Sequence, residues 1–226
     1  MSDAIHPLKV VQSNHLTQQI IQLLLQPEKP IKYQAGDYIM LGFDTTELKP
    51  FSIAAAPRED GLLECHIRNQ LDSDWMQKLF TIQAGDHLVM QGPKPQMQLQ
   101  TSSAPVIFVA GGTGFAPMKA LLDELLRQEA PQPIEFYWGA RSPEELYANQ
   151  TMLDLSSKYE NLNYIPVISD DTHDWNGNTG FVHQQVLKDH PSLTGFMVYL
   201  CGPWDMTQTA KQDFLGADLP ENHFIA

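Results

Sequence analysis

Apolar and polar positions follow two different patterns along the 226-residue chain. From about Pro7 to Leu99 the apolar runs are short and closely punctuated. Val10-Val11, Tyr38 to Phe43, Phe51 to Ala55, Leu62 to Ile67 and His87 to Met90 predict strands. Gly36-Asp37, Glu59-Asp60-Gly61 and Gly85-Asp86 separate them with turn chemistry. Leu16 to Gln26 fits a strand or a helix equally well by period. Ser73 to Phe80 predicts a short helix, with Trp75, Met76, Leu79 and Phe80 at helical spacing. Many short strands with frequent turns predict a barrel or a sandwich.

After Gly92-Pro93-Lys94-Pro95 the pattern changes. Continuous apolar runs at Pro105 to Ala110, Ile134 to Trp138, Tyr164 to Ile168 and Phe196 to Leu200 predict strands buried on both faces. Between and after them, Phe115 to Arg127, Pro143 to Tyr159, Val182 to Asp189 and Asp205 to Leu215 predict helices. Such alternation calls for a parallel sheet covered by helices. The polar stretch Gln96 to Ala104 marks a boundary, giving one domain over residues 1–99 and a second over 100–226.

Composition narrows the chemistry. Hydrophobic residues make up 42% and charged residues 18%, with a mean hydropathy of −0.28, values of an ordinary globular protein. A net charge of −13 repels phosphate backbones and argues against a nucleic-acid partner. Two cysteines, Cys65 and Cys201, exclude a disulfide framework and a four-cysteine iron–sulfur cluster held by this chain alone. The eight histidines are scattered, with no HxxxH pair, so no metal site is expected. The apolar residues Ile20 to Leu25 are too few to span a bilayer, and Met1 to Lys9 lack a secretory pattern. A cytoplasmic protein without a membrane span is therefore expected.

The strongest local signal is Val109-Ala110-Gly111-Gly112-Thr113-Gly114-Phe115-Ala116-Pro117, between a buried strand and a helix. Glycines let the backbone turn sharply and approach a ligand. A helix N-terminus offers N–H groups and a positive dipole end to a pyrophosphate. Pro117 suits a helix start because its missing N–H costs nothing there. The alternative is a tight strand–helix turn with no ligand; the context favours a nucleotide. The second strand of the unit ends in Arg141-Ser142 instead of the acidic residue that holds a ribose. Arg141 can meet an adenosine 2′-phosphate, stack on adenine, or serve only as a solvated charge.

Taken together, these motifs resemble the ferredoxin–NADP reductase superfamily, and within it the small NAD(P)H-flavin reductases that lack an iron–sulfur domain. Lys49-Pro50-Phe51-Ser52 matches that family's Arg-x-Tyr/Phe-Ser signature. The resemblance implies a six-stranded antiparallel flavin-binding barrel followed by a Rossmann-like sheet with helices on both faces. It implies that Lys49 meets the flavin phosphate and Phe51 lies against the isoalloxazine or ribityl chain. Ser52 would hydrogen-bond N5, where hydride arrives. The backbone of His66, Ile67 and Arg68 would line the flavin. Gly111, Gly112, Thr113, Gly114 and Pro117 would hold the nucleotide, and Cys201-Gly202-Pro203 would sit by the nicotinamide, with Cys201 near the reacting carbon. Ser52 and Cys201 are thus the residues expected at the chemistry.

Three departures shape the expectation. Lysine in place of arginine keeps charge and loses the planar fork. Where longer reductases place Gly-x-x-Ser/Thr for the FAD pyrophosphate, this chain reads Gln70-Leu71-Asp72-Ser73-Asp74, and aspartates beside a pyrophosphate are unfavourable. The chain also stops at Ala226, short of the acidic and aromatic residues with which many members continue, and Glu221 takes no role because it precedes the last strand. The expected activity is an NAD(P)H:flavin oxidoreductase, using NADH or NADPH, for which FAD or FMN is a loosely held substrate. Two rivals are a tightly flavinated enzyme that passes electrons to an iron–sulfur or haem protein, and a non-catalytic flavin- or nucleotide-binding module.

Overall fold

The computed structural model describes residues 4–70, 73–170 and 175–226. Two compact units make up the chain: Met1–Leu99 with Lys119–Gln128, and Gln100–Met118 with Glu129–Ala226. Among the described residues no helix is long and apolar enough to cross a membrane.

The first unit is a six-stranded antiparallel sheet of β1 (Ile5–Thr17), β2 (Ile20–Pro27), β3 (Tyr38–Gly42), β4 (Lys49–Ser52), β5 (Leu63–Arg68) and β6 (His87–Lys94), with one helix, α1 (Asp74–Phe80). Strand order is β4-β3-β6-β1-β2-β5. The two end strands meet where Ala54 N–H donates to Glu64 O at 2.7 Å, which closes the sheet into a barrel and removes its free edges. Alternation sets the interior: Leu8, Val10, Ile21, Leu23, Leu25, Ile39, Leu41, Leu63, Cys65 and Ile67 share one core, joined by Met76 and Leu79 of α1. Helix α1 starts where Ser73 Oγ accepts from Met76 N–H at 3.3 Å, an N-cap of the expected kind.

The ambiguous stretch Leu16 to Gln26 is strand: β1 and β2 form a hairpin running from Leu8↔Pro27 to Thr17↔Ile20. Leucine is a good helix former, and burial of alternate side chains overrides that propensity. The strand expected around Val10-Val11 extends over 13 residues. Gly92 to Lys94, expected to lie beyond the last strand of this half, instead completes β6.

The second unit is a parallel sheet of β7 (Val106–Gly111), β8 (Ile134–Ala140), β9 (Leu162–Ile168), β10 (Asn178–Thr179), β11 (Met197–Cys201) and β12 (Phe224–Ile225). Its order is β10-β9-β8-β7-β11-β12. Helices α2 (Phe115–Arg127), α3 (Asn149–Lys158), α4 (Val182–Asp189) and α5 (Trp204–Gly216) follow β7, β8, β10 and β11. On one face Ile107, Val109, Val198 and Leu200 pack with Val182, Val186, Ala210 and Phe214 of α4 and α5. On the other, Phe108, Phe136, Tyr164 and Tyr199 form a run of ring contacts, which Phe115 joins at 5.6 Å from Phe136.

The expected helix Pro143 to Tyr159 is interrupted. A 3-10 turn spans Pro143–Glu145, and the α-helix begins only at Asn149. Leu146 leaves helical geometry with ψ +61°, and Tyr147 sets its ring edge against Phe115 and Trp138 at 5.5 and 5.0 Å. Aromatic packing thus outweighs local helix propensity. Strand β10 had no signal in the apolar pattern.

Candidate functional site

The barrel carries a pocket of about 460 Å³, lined by Tyr38, Met40, Pro50, Phe51, Ser52 and Gln96. This volume suits a drug-sized ligand. Strand register explains most of the lining. Tyr38 pairs with Ser52 and Met40 with Pro50, while the intervening Ile39 and Leu41 point into the core. Tyr38, Met40, Pro50 and Ser52 therefore share the outer face, because side chains alternate along a strand. Phe51, half-buried, lines the pocket as well; it also packs against the barrel core and stacks on Trp75 of α1 at 6.1 Å and 19°.

Lys49 pairs with Leu41 and so shares the side of β4 that carries Phe51. Its Nζ lies 2.7 Å from Glu47 Oε1 and 5.1 Å from the Trp75 ring centroid. The expected phosphate anchor is thus held by a carboxylate and an aromatic face, across the strand from Tyr38 and Ser52. Leu71 and Asp72, part of the stretch expected to disfavour a pyrophosphate, lie outside the described residues.

On β5, Ile67 is a core residue, leaving only its backbone for a ligand. Glu64, His66 and Arg68 alternate to the opposite face. Glu64 is 5% exposed and well partnered. Its Oε1 accepts from Gln22 Nε2 at 2.8 Å and His66 Nε2 at 2.9 Å, and Arg58 Nη1 reaches Oε2 at 3.4 Å. Desolvation works against its charge, yet the His66 hydrogen bond and the nearby Lys119 ammonium prevail and hold the carboxyl down to about 2. Lys119, in the same unit, donates to Ala54 O at 3.1 Å and to Asp123 Oδ2 at 2.8 Å.

In the α/β unit the strand order reverses between β7 and β11, with Ala110 opposite Cys201. Ligands of open parallel sheets bind at such switch points, beyond the strand C-termini. Gly112–Gly114 form a 3-10 turn leading into α2, and Gly112 holds φ +55°, where a Cβ would crowd the chain. Trp138 Nε1 donates to Gly112 O at 2.9 Å, and its indole stacks on Phe115 at 3.9 Å.

The other glycines serve packing. A Cβ on Gly114 would lie 2.0 Å from Cys201 O, one on Gly111 2.6 Å from Met206 Sδ, and one on Gly202 3.2 Å from Gly111 Cα. The two motifs that the sequence pattern singled out are therefore adjacent, backbone against backbone. At Gly111, Gly114 and Gly202 the space beside the backbone is taken by protein, and ligand approach is not what requires glycine there. Thr113 is half-buried in the turn and Pro117 is buried in the first turn of α2. Cys201 is half-buried, and burial pushes its thiol up to about 11 against an opposing hydrogen bond from Gly202. Pro203 caps α5. Arg141 is exposed just past β8.

Sequence reasoning missed Tyr38, Met40 and Gln96 in the pocket, and Trp138 beneath the glycine turn. The first two were readable: an outer-face pair alternating with Ile39 and Leu41, opposite the recognised signature. Among the described residues no group of histidine, cysteine and carboxylate side chains could hold a metal ion.

Comparison with known proteins follows the same division. Residues 7–99 match the family described as an oxidoreductase FAD-binding domain, and residues 108–212 match the oxidoreductase NAD-binding domain. A CDP-6-deoxy-L-threo-D-glycero-4-hexulose-3-dehydrase reductase from Yersinia pestis is 35% identical over 92% of this chain, which spans 63% of that relative's length. An NAD(P)H-flavin reductase from Vibrio harveyi is 32% identical over 85% of this chain and 84% of its own. In structure, the chain is similar to an Amycolatopsis cytochrome P450 reductase (TM-score 0.91, 23% identity, 98% of this chain and 68% of that one). It is also similar to a Neisseria gonorrhoeae ferredoxin NADP+ reductase with bound FAD and NADP (TM-score 0.82, 18% identity, 96% and 92%).

Proposed function

Because the chain belongs to the ferredoxin–NADP reductase superfamily, as a relative of its NAD(P)H-flavin reductases, we propose that it is an NAD(P)H:flavin oxidoreductase in which flavin is a loosely held substrate. Residues 1–99 carry the flavin site in this reading, and residues 100–226 the nucleotide site.

The observation that carries it is the pocket on the barrel's outer face, formed in part by the Lys49-Pro50-Phe51-Ser52 strand. Its residues suit a flat, mostly apolar ring with a polar edge: Met40, Pro50 and Phe51 supply surface, and Ser52, Tyr38 and Gln96 supply hydrogen-bonding groups. Flavin supplies hydride acceptance at N5, and reduced nicotinamide supplies the hydride. The chain's own residues orient and stabilise. The Ser52 hydroxyl donates to the nitrogen that receives hydride. The backbone of His66, Ile67 and Arg68 lines the ring. The turn at Gly112 to Gly114 and the start of α2 hold the pyrophosphate, and Arg141 meets the adenosine end. Cys201, with a neutral thiol, shapes the nicotinamide position without acting as a nucleophile. The short contact of Lys49 with Glu47 supports weak rather than tight retention of flavin.

The experiment is oxidation of NADH and NADPH by the purified protein, with and without free FMN, FAD or riboflavin, after recording its visible spectrum. A colourless protein whose turnover saturates with added flavin supports the reading. A second reading draws on the Yersinia relative, a dehydrase reductase: electrons pass to a redox protein partner. A yellow protein that ignores added flavin and reduces a one-electron acceptor would establish that one instead. Binding of flavin or nucleotide without any turnover would leave a non-catalytic module.

A further inference from the structure

We infer that Lys119 and Asp123 are positioning residues for the barrel pocket: together they grip the backbone of Ala54 and Ala56 and so hold the Ser52 hydroxyl where hydride arrives. The inference rests on the flavin reading above. Both residues lie on α2 and belong to the same compact unit as the barrel. Four positions apart on a helix, they share one face, and Lys119 Nζ lies 2.8 Å from Asp123 Oδ2. The pair engages the backbone through both kinds of polar group. The ammonium donates to Ala54 O at 3.1 Å, and the Asp123 carboxylate accepts from the Ala56 N–H.

The gripped segment follows Ser52, the last residue of β4. Ile53, Ala54, Ala55 and Ala56 are all buried and lie outside the strands. Buried backbone groups that lack a ladder need other partners. Ile53 N–H donates to Asp37 O at 2.9 Å and Ala54 N–H to Glu64 O at 2.7 Å. Tyr33 OH donates to Ala56 O at 2.8 Å. Lys119 and Asp123 supply the partners of Ala54 O and Ala56 N–H with charge-assisted bonds, which are roughly twice as strong as neutral ones. Three consecutive alanines offer only methyl groups to packing, so backbone bonds carry the placement of this segment. Strand β4 has four residues and stands at one end of the strand order. Its Ser52 end is therefore placed by pairing with Tyr38 and by the segment behind it. Neither Lys119 nor Asp123 is among the residues that line the pocket, so both act through Ser52.

The test is a double-mutant cycle in the full chain, combining Lys119→Met with Ser52→Ala and read with NADH and riboflavin. Methionine keeps most of the lysine stem and removes the donor. Lys119→Met should lower kcat about threefold to tenfold, the scale of a small misplacement at the reacting centre. Riboflavin affinity, followed by quenching of its fluorescence, should stay within about twofold, because the pocket walls remain. In the Ser52→Ala background the same substitution should leave kcat unchanged, since the group it positions is gone. Lys119→Arg should restore most of the loss. Asp123→Asn keeps the size of the side chain and gives up its charge. It should show a smaller fall with the same dependence on Ser52, and it serves in place of Lys119→Met if that variant does not fold. Equal kcat losses with and without the Ser52 hydroxyl, a loss confined to affinity, or full activity in folded Lys119→Met would each overturn the inference and spare the flavin reading. A wild type that neither binds nor reduces riboflavin would overturn both.

Discussion

The barrel and the α/β unit build their candidate sites in opposite ways. On the barrel the site is a set of side chains standing on one face of a strand ladder, and what matters is register. At the switch point of the parallel sheet the site is made by leaving side chains out. Gly111, Gly114 and Gly202 bring two loops together so closely that a single Cβ would collide with Cys201 O or Met206. Exchanging a side chain therefore retunes the first site, whereas adding one dismantles the second.

The most damaging change should be Gly114→Ala. Its Cβ would sit 2.0 Å from a backbone oxygen, which cannot rotate away as a side chain can. We expect a loss of about 4 kcal/mol or more, beyond ordinary overpacking, read as a large fall in Tm or an insoluble product. Gly85→Ala on the barrel is the matched control. Gly85 has φ +100° and nothing within 4 Å of an added Cβ, so only backbone strain of about 1–2 kcal/mol applies. Similar losses in the two variants would break the contrast.

Glu64→Gln comes next, because Glu64 is a buried charge of the barrel held by several partners. The Glu64 carboxyl is held at about 2 in the folded chain against an ordinary 4.5. A depressed folded pKa contributes stability that is present above pH 4.5 and lost as pH falls toward 2. The shift corresponds to about 3 kcal/mol. Glu64→Gln should cost about that much at pH 7 and progressively less below pH 4.5, with wild-type and variant unfolding curves converging in acid. A constant difference across that window would mean that packing, not charge, is at stake.

Ser52→Ala tests the barrel site by function. Loss of one hydroxyl donor at the reacting nitrogen should lower kcat roughly tenfold to a hundredfold, about 1.4–2.7 kcal/mol. Riboflavin affinity should change little, because the pocket walls remain. A fall confined to affinity would make Ser52 a binding residue only.

The same contrast governs what was legible in the sequence. Helices α2 and α4 begin and end at the expected residues, because parallel strands buried on both faces and amphipathic helices differ sharply in period. Barrel strands were harder. Leucine-rich β2 fits the period of either element when read alone, and only pairing with β1 decides it. The glycine turn and the Cys-Gly-Pro segment announced themselves as motifs. Their direct contact did not, since it joins residues ninety positions apart. Nor did local sequence reveal which side of the ladder Lys49 and Ser52 each take, since alternation separates them but only pairing with β3 sets the sides.

Cys201 gives the smallest effect and the sharpest division between positioning and chemistry. Its thiol is pushed up to about 11, because burial disfavours the thiolate more than the Gly202 hydrogen bond favours it. The thiol is therefore expected to stay neutral at working pH, and neither to attack nor to exchange a proton there. The backbone at this position matters more than the side chain, since the Cys201 carbonyl is what Gly114 packs against. Cys201→Ala keeps that carbonyl and removes only the sulfur. It should lower kcat/KM by about threefold, some 0.7 kcal/mol, and leave the rate–pH profile between pH 6 and 9 unchanged in shape. The wild-type thiol should correspondingly resist iodoacetamide at pH 8. Rapid alkylation, or a limb of the pH profile that disappears in the variant, would mean a thiolate at neutral pH and a chemical role that burial is expected to deny it.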